Sequence, residues 1–141
     1  MCAPNNPRFT GAVPPLTCLT VIGTADPVFG AAVAENLRAL GHQVAGIGGS
    51  GVETVEMALK NGADFVVLDI HLPPLGGMGA ILDVLKPHRI PVLACSGAAD
   101  ESAARRAAEL DVVAYIVSPF TQAELELALH VAITRSEQRG L

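Results

Sequence analysis

The sequence predicts a doubly wound α/β domain in which five βα units surround an open, five-stranded parallel sheet. Three observations predict it. Apolar runs alternate five times with segments of helical period: Leu16 to Gly23, Gln43 to Ile47, Asp64 to Leu68, Ile90 to Cys95 and Val112 to Val117. These runs are continuous in hydrophobicity rather than alternating, as expected of strands covered by helices on both faces. Parallel neighbours also need crossover connections, which the intervening helical segments supply.

The helices follow in order. Asp26-Pro27 opens the first as N-cap and first-turn proline, Phe29, Val33, Leu37 and Leu40 give it an apolar stripe, and Gly41 stops it. In the second, Val52, Val55 and Leu59 form the stripe, Glu56 and Lys60 an i,i+4 pair, and Asn61-Gly62 the end. Met78, Ile81, Leu82 and Leu85 mark a third helix, which stops before Pro87. The alanine-rich stretch Asp100 to Leu110 is the fourth, and Thr121 to about Arg135 the fifth. Leu125, Leu129 and Ala132 share one side of this last helix, and Thr121 with Glu124 three residues on makes a capping box.

Composition narrows the function. At 141 residues, 50% of them apolar, the chain fits one compact domain. A net charge of -5, with nine basic residues scattered along the chain, argues against nucleic-acid binding, which concentrates Lys and Arg on one face. Residues 1–15 hold four prolines and no apolar stretch of signal-peptide type, so a flexible tail is expected there, with the domain over 16–135 and a second tail over 136–141. No apolar run reaches the roughly 20 residues of a membrane helix. Cys2, Cys18 and Cys95 are odd in number and lack metal-ligand spacing, which suits reduced thiols and a cytoplasmic location. His42, His71, His88 and His130 have no spacing that converges on a metal and read as surface histidines.

Ligands of open α/β sheets bind beyond the carboxyl ends of the strands, which directs attention to Gly23 to Asp26, Asp69 to Gly77, Ser96-Gly97 and Ser118-Pro119. There the chain resembles the receiver domains of two-component response regulators. Val66-Val67-Leu68-Asp69-Ile70-His71-Leu72-Pro73 is similar to the family's third strand, Pro91 to Gly97 to its fourth, and Tyr115-Ile116-Val117-Ser118-Pro119-Phe120 to its fifth strand and Pro-Phe turn. The motifs stand in order, at the family's separations, and with the helical pattern cover Leu16 to about Arg135. The resemblance implies a flavodoxin-like (βα)5 fold with strand order 2-1-3-4-5. It makes Asp69 the phosphoacceptor position, Ser96 and Tyr115 the switch pair, and His71 the backbone carbonyl that would face a magnesium ion.

Three departures fall at this site. The two acidic positions ending the first strand become Thr24 and Ala25, which carry no carboxylate for a hard cation. Asp26, one residue further, is expected to cap the first helix. Ser118 takes the place of the phosphate-contacting lysine and brings a hydroxyl without charge. Gly76 replaces the acidic residue of the turn that Gly77 keeps. Phosphoryl transfer rests on positioning and electrostatic stabilisation, so each lost charged contact would cost about 3 kcal/mol of transition-state stabilisation. Two such losses slow transfer by roughly four orders of magnitude. No metal site is expected, with magnesium at most weakly held, and Asp69 otherwise reads as a polar strand end bonded to loop amides. Tyr115 reads equally as a half-buried tyrosine at the sheet edge.

The expectation is a stand-alone signalling module without enzymatic activity and without an output domain. It would work through a histidine kinase or phosphotransfer protein, or as a homodimer through the fourth helix, fifth strand and fifth helix. Two alternatives stand beside it: a working phosphoacceptor that slowly hydrolyses its own acyl phosphate, and a small-molecule-binding flavodoxin-like domain. Asp69-Ile70-His71 also resembles the start of a cobalamin-binding motif, but Pro74 occupies the required glycine position. Gly46, Gly48, Gly49 and Gly51 lack dinucleotide or P-loop spacing and read as a tight loop.

Overall fold

A computed structural model describes residues 17–72, 78–96, 105, 112 and 114–138 of the chain. Its five strands, β1 (Leu19–Gly23), β2 (Gln43–Gly48), β3 (Phe65–Asp69), β4 (Val92–Ser96) and β5 (Ala114–Val117), form one parallel sheet in the order β2-β1-β3-β4-β5. The doubly wound topology and strand order are those expected. Four described helices cover it: α1 (Pro27–Ala39), α2 (Gly51–Asn61), α3 (Met78–Leu85), which runs on into a 3-10 turn at Lys86–His88, and α4 (Gln122–Gln138). The helix expected over Asp100 to Leu110 lies outside the described residues apart from Arg105, and so does the expected tail over 1–15.

The period of two in β3 divides the core. Val66 and Leu68 point to a layer with Val55, Ala58, Ile81 and Leu85 from α2 and α3, while Phe65 and Val67 point to Val33, Leu37, Leu125 and Leu129 from α1 and α4. Phe65, Leu37 and Leu93 are fully buried, and each contributes about 1.5–3 kcal/mol over an exposed position. Central strands are therefore buried on both faces, whereas the edge strand β2 alternates between exposed and part-buried residues. The continuous burial expected of every strand does not hold for β2, an edge strand with a neighbour on one side only.

Local signals set the helix ends. Asp26 Oδ1 accepts the Val28 and Phe29 amide hydrogens at 3.0 and 3.3 Å, Gly41 takes φ 92° after α1 and Gly62 takes φ 61° after α2. At α4 the Thr121 amide donates to Glu124 Oε1 and the Glu124 amide to Thr121 Oγ1, completing the capping box. This helix continues to Gln138 rather than ending near Arg135.

Four expectations need correction. The buried stripe of α2 is Thr54, Val55 and Ala58, while Val52 and Leu59 are exposed. The helix turns its small side because its floor is glycine: Gly46 lies under Met57 and Gly48 under Thr54. Those two glycines accordingly belong to β2 and act by close approach, not as a loop. His42 is buried rather than a surface residue, and its Nδ1 accepts the Cys18 amide hydrogen at 3.1 Å. Finally, Cys18 is disulfide-bonded while Cys95 is a free buried thiol. Cysteine usage therefore gives no argument for a reducing compartment.

Candidate functional site

The carboxyl end of the sheet gathers its polar residues because β1 and β3 are neighbours that end together, with Gly23 in register with Leu68. The residue after Gly23 is Thr24, whose amide donates to Gly48 O at 2.9 Å and so seats it against the end of β2. Its side chain, 2% exposed, crosses to β3. There Thr24 Oγ1 donates to Asp69 Oδ2 at 2.8 Å, and the same oxygen accepts the Asp26 amide hydrogen at 3.1 Å.

Asp69 is the last residue of β3 and is part-buried. Its Oδ1 accepts the His71 amide hydrogen at 2.9 Å, its backbone carbonyl accepts the Leu72 amide hydrogen, and the next residue, Ile70, donates to Cys95 O. Both carboxylate oxygens are therefore engaged by donors that carry no charge. Loop amides do bond Asp69, as its reading as a polar strand end expects, and a hydroxyl from β1 joins them. Ala25 is exposed beside Thr24 and adds no polar group. Asp26 turns its Oδ1 to the α1 amides, as a capping residue does.

The other side of the mouth is built by β4 and β5. Ser96 is fully buried at the end of β4, one residue beyond Cys95, the register partner of Asp69. Its carbonyl accepts the Ser118 amide hydrogen at 2.7 Å. Ser118 precedes Pro119 through a cis peptide bond, and Phe120 meets Phe29 of α1 edge to face, with ring centroids 6.4 Å apart. Tyr115 sits further back on β5, in register with Ala94. It is half-buried and packs on the α2–α3 layer. Its hydroxyl is buried and has no hydrogen-bond partner among the described residues.

The structure thus joins Thr24 directly to Asp69, joins Ser96 to Ser118 through the backbone, and leaves Tyr115 apart; Gly76 and Gly77 lie outside the described residues. Burial, with the Asp69 charge adding to it, pushes the Cys95 thiol far up, so it remains protonated and inert. Among the described residues no three His, Cys, Asp or Glu side chains converge on a metal position. Two features were not anticipated from sequence. The Thr24 hydroxyl bond to Asp69 spans 45 residues, and its only signal was a hydroxyl residue in a place where the resemblance implies an acid. Neither did anything local announce the orphaned phenol of Tyr115.

Residues 25–130 match the response regulator receiver domain. Over 103 residues the chain is 29% identical to the transcriptional regulatory protein PdtaR of Mycobacterium tuberculosis, covering 73% of this chain and 50% of that protein. The chain thus spans about half the length of that curated relative. Among solved structures it resembles the signal receiver domain of a modulated diguanylate cyclase from Desulfovibrio desulfuricans, with TM-score 0.76 and 20% identity over 88% of this chain and 99% of that one. It also resembles the receiver domain of the putative response regulator NarL from Mycobacterium tuberculosis, with TM-score 0.73 and 19% identity over 85% and 98% of the two chains.

Proposed function

The chain belongs to the response regulator receiver domain family, and from that premise we propose that it is a signalling module in which phosphorylation of Asp69 is weak or absent. It acts through protein contacts. Thr24 carries the reading: where a cation site needs a second carboxylate, a neutral hydroxyl already donates to Asp69 Oδ2 at 2.8 Å. A resident magnesium ion does not fit that donor set, because a hard cation is held chiefly by anionic oxygens. Both oxygens of Asp69, the one carboxylate at that position, already accept from uncharged donors. Ser118 offers an incoming phosphoryl group no positive charge, and its amide is committed to Ser96 O.

Receiver domains of this family are signalling rather than catalytic modules and meet histidine kinases or phosphotransfer proteins. For this chain we place the contact, including a homodimer, on β5 and α4. Leu127 is 66% exposed and Val131 37% exposed on α4. They line an open groove with Tyr115 and Ile116, and Glu124 and Arg135 also line it. Apolar side chains bordered by charge suit a contact surface. No described helix is long and apolar enough to cross a membrane.

Incubation with acetyl phosphate and magnesium followed by intact-mass measurement tests the reading. The expected result is no added phosphoryl mass at times when an active receiver is modified. Added mass that disappears in Asp69→Asn would establish the alternative, a working phosphoacceptor.

A further inference from the structure

We propose that Thr24 is a positioning residue that ties three loops together at the mouth of the sheet, holding them in one arrangement by hydrogen bonds from uncharged donors where a cation would otherwise be needed. The inference rests on the reading of Asp69 as a poor phosphoacceptor and adds what its carboxylate does instead. Each bond of the tie leads to a different loop. The Thr24 amide holds the end of β2 through Gly48 O, its hydroxyl proton holds the end of β3 through Asp69, and its oxygen holds the start of α1 through the Asp26 amide. Asp69 extends the chain of bonds through its other oxygen to the His71 amide.

The chemistry favours a hydroxyl here. It has one proton to give and lone pairs to accept with, so a single atom can serve Asp69 and Asp26 at once. A carboxylate at position 24 could accept from Asp26 but would face Asp69 with like charge, and would need a cation between them. Valine, of similar shape, could do neither. Because the hydroxyl is buried and bonds a carboxylate, its bond is charge-assisted and shielded from competing water. Asp26 and His71, by contrast, are exposed residues. The Asp26 amide, bonded to Thr24 Oγ1, is therefore the direct readout of the tie.

Amide hydrogen exchange read by nuclear magnetic resonance tests this. In Thr24→Val the Asp26 amide should exchange roughly tenfold faster or more, while Thr24→Ser stays within about threefold of the parent, as loss and retention of one hydrogen bond imply. The amide of residue 24, bonded to Gly48 O, serves as the local control for an intact fold. Asp69→Ala provides an independent variant: it should deprotect Asp26, which Asp69 does not touch, because Thr24 is then free to reorient. Millimolar magnesium should leave all of these rates unchanged in the parent protein. Unchanged Asp26 protection in Thr24→Val, equal damage from Thr24→Ser, or no response of Asp26 to Asp69→Ala would each overturn the tie. Phosphorylation by acetyl phosphate with the exchange pattern intact would instead refute the proposed function and leave the tie standing.

Discussion

The β1–β3 and β5 sides of the sheet treat their polar groups differently. On the β1–β3 side Thr24 and Asp69 satisfy one another and draw in the amides of Asp26 and His71. On the β5 side the Tyr115 hydroxyl is buried without a partner among the described residues, and Leu127 and Val131 of α4 stand exposed beside the same strand. A closed hydrogen-bond network resists change, because any movement leaves a buried polar group without a partner. A region with an orphaned donor and uncovered apolar surface has something to gain from rearrangement or from a partner. The difference places rigidity where the family has its chemistry and adaptability where we propose the contacts.

The largest expected effect sharpens the rigid side. A Cβ on Gly48 would stand 2.5 Å from Thr54 Oγ1 and 2.7 Å from the Thr54 backbone nitrogen, neither of which can yield without shifting the start of α2. Gly48→Ala should therefore destabilise the domain by about 3 kcal/mol in urea unfolding, the upper range for overpacking. Gly46→Ala should cost clearly less, since its nearest neighbour is the flexible Met57 side chain. Equal costs would mean that the glycine floor does not discipline α2 in the way described.

The adaptable side is tested next. If β5 and α4 form a homodimer face, Leu127→Ser with Val131→Ser should raise its dissociation constant by at least roughly tenfold in sedimentation equilibrium, from the lost burial of two apolar side chains. Monomer stability should stay within about 0.5 kcal/mol, as expected of exposed positions. A dimer that forms undiminished would move the contact elsewhere.

Most of the scaffold was legible from sequence because its signals are local. Asp26-Pro27, Asn61-Gly62 and the Thr121–Glu124 box act within one helix turn, and the continuous run Val66 to Leu68 announces a strand buried on both faces. Asp69 was likewise visible as a strand end. What escaped was set by contacts far apart in the chain. Neither the bond from Thr24 to Asp69 nor that from Cys18 to His42, 24 residues away, has a local pattern. The choice of Thr54 and Ala58 over Val52 and Leu59 as the inner face of α2 depends on which residues of β2 lack side chains. Hydrophobicity alone ranks those positions the other way.

Tyr115→Phe offers a smaller and more pointed test of the comparison. Removing a buried, unpaired hydroxyl deletes a desolvation penalty and no hydrogen bond, so the variant should be as stable as the parent or more stable by up to about 1 kcal/mol. The same deletion in a satisfied network would be destabilising. A clear loss of stability in Tyr115→Phe would show that the phenol has a partner, and the two sides of the sheet would no longer differ.

The smallest effect carries the same principle to the opposite end of the sheet, where the satisfied acceptor can titrate. His42 is buried with Nδ1 accepting from the Cys18 amide, so a proton on that nitrogen would set donor against donor. Burial, chiefly, and the neighbouring His130 lower its pKa below the ordinary 6.5, against an opposing pull from Glu126 on the same helix. A folded state that prefers the neutral ring binds fewer protons than the unfolded chain between the two pKa values. Its contribution is therefore complete above pH 6.5 and declines as the pH falls from there toward the lowered folded value. Urea midpoints measured from pH 7.5 downward should fall across that interval, and His42→Asn, whose side-chain oxygen can accept without titrating, should flatten the fall. An unchanged slope in His42→Asn would assign the acid sensitivity to the carboxylates instead.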